Sequence, residues 1–239
     1  MLNSPRRPRG VIVLGVFRSG TSQASRILQA LGVDFGPACD LFAPTQYNPW
    51  GFFQRRDVLV ANNRLLHSAG CSADSPVDPE KILLRADPAC LSSAVLDWIS
   101  DKPTWGLKDP RFSATLLTWI KCGRINTEGL VLINVMRRNE ATAASILRFP
   151  MMATLLPKVN AGNVAALVAH YRELATWHIN RLGLPTLAVY LEELIENPRQ
   201  EVEKLANFVG CTNQDAIENA IQSTNRERVL QLYFMERSV

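Results

Sequence analysis

The chain of 239 residues has no long hydrophobic run. Its longest apolar stretch, Val11 to Phe17, falls far short of the ~20 residues a membrane-spanning helix needs, so no transmembrane segment is predicted. Cysteine is scarce. Cys39, Cys71, Cys90, Cys122 and Cys211 are odd in number, widely spread and without a CxxC pair. That pattern speaks against a zinc ribbon or a disulfide framework and for reduced thiols in the cytoplasm. Charge of one sign is also scarce. The net charge is +4, and Arg6, Arg7 and Arg9 supply most of it from a Pro-rich start. A nucleic-acid surface needs more than this; a basic pocket for one small anion does not. No internal repeat or secretory signal is visible. Met1 to Gly10 reads as a basic flexible arm and residues 11–239 as a single domain. With 47% hydrophobic and 20% charged residues, the composition is that of an ordinary globular protein.

Short β-branched runs alternate with helical periodicity. Val11 to Leu14, stopping at Gly15, predicts a buried strand. Ser22 to Leu31 predicts a helix ended by Gly32. Phe35 to Gly51 and Cys71 to Asp87 read as loops, and the Pro-rich segments before residue 90 as a lid or acceptor wall. Helices are predicted over Arg56–His67, Pro88–Ser100 and Glu140–Arg148, with another from a Ser113 cap to Cys122. Further helices are predicted over Val164–Leu182, closed by Gly183, and over Pro198–Gly210 and Gln214–Ile221. Strands are predicted over Thr104–Lys108, Leu130–Met136 and Thr186–Tyr190. The alternation implies a three-layer α/β/α fold around a central parallel sheet.

The most informative segment follows the first strand: Gly15-Val-Phe-Arg18-Ser19-Gly20-Thr21-Ser22. Two glycines bracket four residues, and a helix opens at once. Turning backbone and a helix N-terminus both aim N–H groups at an anion, so the turn reads as a P-loop-like phosphate-binding loop. The same spacing also serves a plain strand–turn–helix joint. In a triphosphate loop a Lys follows the second Gly; here Thr21 does, and the cation has moved back to Arg18. That layout suits an anion with no γ-phosphate and no required metal.

Arg18-Ser-Gly-Thr-Ser, between an apolar strand and a helix ending Leu-Gly-Val, resembles the 5′-phosphosulfate loop of the sulfotransferases. The likeness is to the branch common in bacteria and among carbohydrate sulfotransferases. Trp105-Gly-Leu-Lys108-Asp109-Pro110-Arg111 is similar to that branch's Lys-Asp-Pro-Arg box. Arg137 at a strand end and Ser145 in the next helix resemble its 3′-phosphate pair. Leu194-Ile-Glu-Asn197-Pro198, leading to Gly210, resembles its C-terminal segment. The likeness covers roughly residues 11–212.

The resemblance implies transfer of a sulfuryl group from 3′-phosphoadenosine-5′-phosphosulfate (PAPS) to a hydroxyl or amine of a small-molecule, sugar or lipid acceptor. Adenosine 3′,5′-bisphosphate is then the other product. Ser19, Gly20, Thr21 and Ser22 would cradle the 5′-phosphate. Arg137 would fork onto the 3′-phosphate, with Ser145 adding a hydroxyl and Arg148 lying one turn on. Arg18 would meet charge on the leaving oxygen, and Lys108 the sulfonate or the acceptor. Arg138 and Asn139 stand where the family often has Asp and Pro, which implies a changed turn.

The resemblance also exposes a discrepancy. In Asn48-Pro49-Trp50-Gly51-Phe52-Phe53-Gln54, Gln54 stands where the family has a Glu thought to be the general base, and an amide takes no proton. Asp57, on a shared helix face, or Asp109 are substitutes. An acidic acceptor, an engineered Glu→Gln change or a protein that binds PAPS with weak or no transfer are other readings. So is a nucleotide kinase with a degenerate loop. Trp50, Phe52 and Phe53 read either as cleft wall or as core. His67, His170 and His178 read as ordinary core or surface histidines, and Glu192 and Glu193 as helix caps. The residues speak for no particular oligomeric state.

Overall fold

The computed structural model describes residues 7–46, 48–91 and 97–224. Four strands, β1 (Gly10–Gly15), β2 (Trp105–Lys108), β3 (Leu130–Met136) and β4 (Thr186–Tyr190), form one sheet in the order β2-β1-β3-β4. Every pairing is parallel, with Val13 opposite both Lys108 and Ile133.

Side chains alternate across a strand, and here both faces are apolar, as helix-covered parallel sheets require. Ile12, Leu14, Leu107 and Leu132 pack into one core. Covering it are α2 (Arg56–Ser68), α3 (Pro79–Arg85), α4 (Phe112–Lys121), α5 (Asn139–Arg148), α6 (Pro150–Leu155) and α7 (Val164–Leu182). Val11, Val13, Val131 and Ile133 pack into the other core. There the cover is α1 (Thr21–Ala30), α8 (Leu191–Glu196), α9 (Pro198–Phe208) and a helix over 214–224. The result is the three-layer α/β/α fold.

Several elements depart from the sequence reading. The 71–87 loop contains α3, whose Pro79 occupies the first turn, the helical position where Pro costs nothing. At 88–100 the described residues hold 3-10 turns at Pro88–Cys90 and 97–99, and 92–96 lie outside the described residues. Ser113 does not cap α4. Arg111 is the N-cap, and the Ser113 hydroxyl is buried without a partner among the described residues. Helices α6 and α8 are additional. The N-terminal segment is tied down before β1: Arg9 N–H donates to Gly129 O (2.8 Å) and Thr104 Oγ1 to Pro8 O (2.8 Å). The rest of the arm, residues 1–6, lies outside the described residues.

Candidate anion-binding site at the carboxyl ends of the strands

The register brings Gly15, Lys108 and Met136 to one edge of the sheet, the edge where open parallel sheets bind ligands. The turn after β1 is built by its own residues. Ser19 Oγ donates to Val16 O (2.8 Å), so this side chain stabilises the turn and faces inward. Gly20 is the N-cap of α1 with φ 96°, and a Cβ there would meet Leu191 at 2.8 Å. The glycine thus serves both a left-handed turn and a close approach. By helix geometry, the N–H groups of Thr21 and Ser22 have no intrahelical partner.

Arg18 also sits in left-handed backbone, at φ 64°. It is held on three sides. Its Nε donates to Ser145 Oγ (3.2 Å), its guanidinium lies 4.0 Å from the Phe149 ring centroid, and its carbonyl accepts from Arg137 Nη1 (3.2 Å). The loop and the Arg137–Ser145 pair, read as separate ends of a ligand, therefore share a wall. Arg172 of α7 donates to the Arg137 carbonyl, and its own Nε is buried without a partner among the described residues. Arg148 lies exposed beyond them, its Nε turned to Ala144 O.

Lys108 ends β2 and is only 5% exposed. Its Nζ lies 3.4 Å from Ser22 Oγ. The Ser22 hydroxyl also accepts from Asn48 Nδ2 (3.4 Å) and faces Phe52 O (3.4 Å), joining the 41–55 segment to the loop. Burial pushes Lys108 down to about 8, with Arg18 and Arg111 adding to the effect against the pull of Asp109. Burial and then Arg137 push Arg18 down to about 10. Arg137 is lowered as well, chiefly by burial, with Arg148 and Arg138 opposing the pull of Glu192. Positive charge is thus concentrated where solvent does not relieve it. An arriving polyanion would.

The carboxylates nearby are occupied. Asp109, fully buried, accepts from Gln54 Nε2 (2.6 Å), from Arg111 N–H (2.8 Å) and from Arg111 Nη1 (3.2 Å). Asp57 is chelated by Arg55, Nε to Oδ1 at 3.1 Å and Nη2 to Oδ2 at 2.6 Å. Gln54 precedes α2 instead of lying on it, so Gln54 and Asp57 share no helix face. Glu192 lies in the first turn of α8 and accepts from Arg138 N–H (2.9 Å), capping α5 and not the Pro-started α9.

The aromatics of the 50–53 run diverge. Phe53 packs edge-on against Phe35 in one core, Phe52 borders the other, and Trp50 lies under Arg26 at 3.8 Å. His178 is buried in the core, and His170 meets Pro76 O at 2.9 Å. Arg111, Arg172, Phe149 and Asn48 are site neighbours that received no role from the sequence. Arg111 and Asn48 stood inside quoted motifs. Arg172 looked like any helix-face arginine.

No protein-family model matches the chain. Sulfotransferase 1B1 of Mus musculus is 29% identical over 107 residues, covering 40% of this chain. The match spans 36% of the mouse protein's own length. Among solved structures, retinol dehydratase in complex with androsterone and inactive cofactor PAP aligns over 95% of this chain and 67% of its own, at 14% identity and TM-score 0.49. A mouse sulfotransferase complexed with PAP aligns over 92% of this chain and 66% of its own, at 12% identity and TM-score 0.48. The chain is similar to a curated sulfotransferase across two-fifths of its sequence.

Proposed function

We propose that residues 11–239 act as one sulfotransferase domain of the bacterial and carbohydrate-sulfotransferase-like branch. The domain moves a sulfuryl group from PAPS to a hydroxyl or amine of a small-molecule, sugar or lipid acceptor. One observation carries the reading. Lys108 reaches Ser22 in the first turn of α1, and Arg18 and Arg137 meet in the loop just before it, while the carboxylates of Asp109 and Glu192 are already engaged by other donors. Such a site favours a ligand with several negative charges.

PAPS supplies the activated sulfuryl group. The first turn of α1 holds the 5′-phosphate through its N–H groups. Arg137 and Ser145 hold the 3′-phosphate. Arg18, between them, stabilises charge on the departing oxygen, and Lys108 faces the sulfonate from β2. The placement of Asp109 and Asp57 in ion pairs favours a second reading, a PAPS-binding protein with weak transfer. Five cysteines, all free, support a cytoplasmic setting.

Thermal unfolding with adenosine 3′,5′-bisphosphate, and separately with ADP or ATP and magnesium, tests the reading. A ligand at one hundred times its Kd stabilises by about 2.7 kcal/mol, or roughly 5–10 °C for a domain of this size. The bisphosphate alone, without metal, produces this shift. A larger shift with magnesium-ATP would turn the assignment to a kinase. Full donor affinity without transfer to any acceptor of a broad panel would establish the second reading.

A further inference from the structure

Gln54 is buried, 8% exposed, at the end of a segment fastened at several points. Phe42 N–H donates to Gln54 O (3.0 Å), Leu41 bridges Arg55, and Phe53 takes φ 53°. This backbone turns the Gln54 side chain toward the start of α4. Its Nε2 reaches Asp109 Oδ2 at 2.6 Å, across 55 residues of chain. The orientation of the amide follows from its partner, because a carboxylate only accepts.

Asp109 organises the turn between β2 and α4. Its Oδ1 accepts from Arg111 N–H (2.8 Å), its backbone carbonyl from Phe112 N–H (3.0 Å), and Arg111 Nη1 closes the ion pair. Lys108 is the residue immediately before it. We propose that Gln54 is a positioning residue: by donating to Asp109 it fixes the carboxylate on which the β2–α4 turn is built, and so holds Lys108 beside Ser22 at the N-terminus of α1. The position calls for an amide, and a carboxylate there is harmful. Gln54 is accordingly not a lost base.

The groups facing Asp109 are Gln54 from the 41–55 segment, Lys108 from β2, Arg111 from the start of α4, and Tyr171 from α7. In Gln54→Glu two carboxyl groups meet in this buried site, where they accommodate one shared proton. The folded variant then holds a proton that its unfolded form releases. Stability and Lys108 placement fall as pH rises.

The test uses the full chain, comparing wild type, Gln54→Glu and the exchange Gln54→Glu/Asp109→Asn, which returns one amide and one carboxylate to the pair. Affinity for adenosine 3′,5′-bisphosphate is read by calorimetry, and melting temperature is read in parallel. Relative to wild type, Gln54→Glu loses affinity at least ~10-fold between about pH 6 and about pH 8.5, since each pH unit above a shared proton's pKa weighs tenfold. Its melting temperature falls over the same range, and the exchange recovers both. A pH-independent Gln54→Glu, an exchange that recovers neither quantity, or faster turnover in Gln54→Glu at alkaline pH would each overturn the proposal. The binding readout rests on the donor reading, but the melting curves do not. If wild type ignores the bisphosphate, the donor reading fails and the pH slope of the melting temperature still decides the role of Gln54.

Discussion

Lys108→Met separates a ligand-binding cation from a structural one. The native protein buries Lys108 with its pKa near 8 against an ordinary 10.5. That difference corresponds to about 3 kcal/mol of native-state destabilisation once the side chain is charged. The unfolded chain holds this proton more tightly than the native one. The penalty is therefore complete below about pH 8, shrinks as pH rises, and vanishes above about pH 10.5. Met fills similar space without charge. Lys108→Met is expected to raise stability at neutral pH by up to about 3 kcal/mol, with a melting temperature roughly 2–4 °C higher per kcal/mol. The gain disappears as pH approaches the ordinary lysine range. The same variant loses at least ~10-fold in affinity for PAPS, because one charge-assisted bond to an anion is worth about 1.5–3 kcal/mol. Urea unfolding at neutral and alkaline pH gives the first quantity; calorimetry gives the second. A less stable Met variant, or one that binds PAPS as wild type does, would refute the reasoning, because Lys108 would then be a supporting residue of the fold.

His178 accepts from Leu117 N–H at 3.0 Å and faces Leu174 O at 3.0 Å, and burial pushes it down to about 4. Wild type is expected to lose up to about 3 kcal/mol as pH falls from about 6.5 to about 4, and urea titrations of His178→Gln, which keeps an acceptor, lack that slope. Gly20→Ala places a Cβ 2.8 Å from Leu191 at φ 96°; it is expected to cost about 1–3 kcal/mol in unfolding experiments and to weaken bisphosphate binding. Arg137→Ala removes the donor to Arg18 O together with its charge, and calorimetry is expected to show roughly 10–100-fold weaker bisphosphate binding. Ser145→Ala, which deletes one hydroxyl, is expected to cost about 1 kcal/mol in the same experiment.

The sheet was readable because its central strands are buried and its edge strand β4, only partly buried, is still a β-branched and apolar run. Val11–Leu14, Leu130–Met136 and Thr186–Tyr190 show as short apolar or β-branched runs, and the longest helix ends at Gly183, whose left-handed φ of 60° is what a helix stop of this kind requires. Where prolines stood close together, as at Pro76 and Pro79, the loop reading missed that Pro fits the first turn of a helix. Short α6 and α8 carry too few residues to show a period and form against neighbours already in place. The Ser113 cap fails because Asp109-Pro110-Arg111 closes the turn first. The strand-end cations were visible as residues. Their mutual contact was not, since Arg18 and Arg137 lie 119 residues apart. The Gln54–Asp109 bond was hidden for the same reason. Its absence from the sequence reading made Gln54 look like a missing base.

The most direct test of the account is a crystal structure grown with adenosine 3′,5′-bisphosphate and no divalent metal. The account predicts one ligand along the sheet edge, with one phosphate against the N–H groups of Thr21 and Ser22 and the other between Arg137 and Ser145. Density for the nucleotide elsewhere, or an Arg18–Arg137 cluster left untouched at saturating ligand, would contradict it.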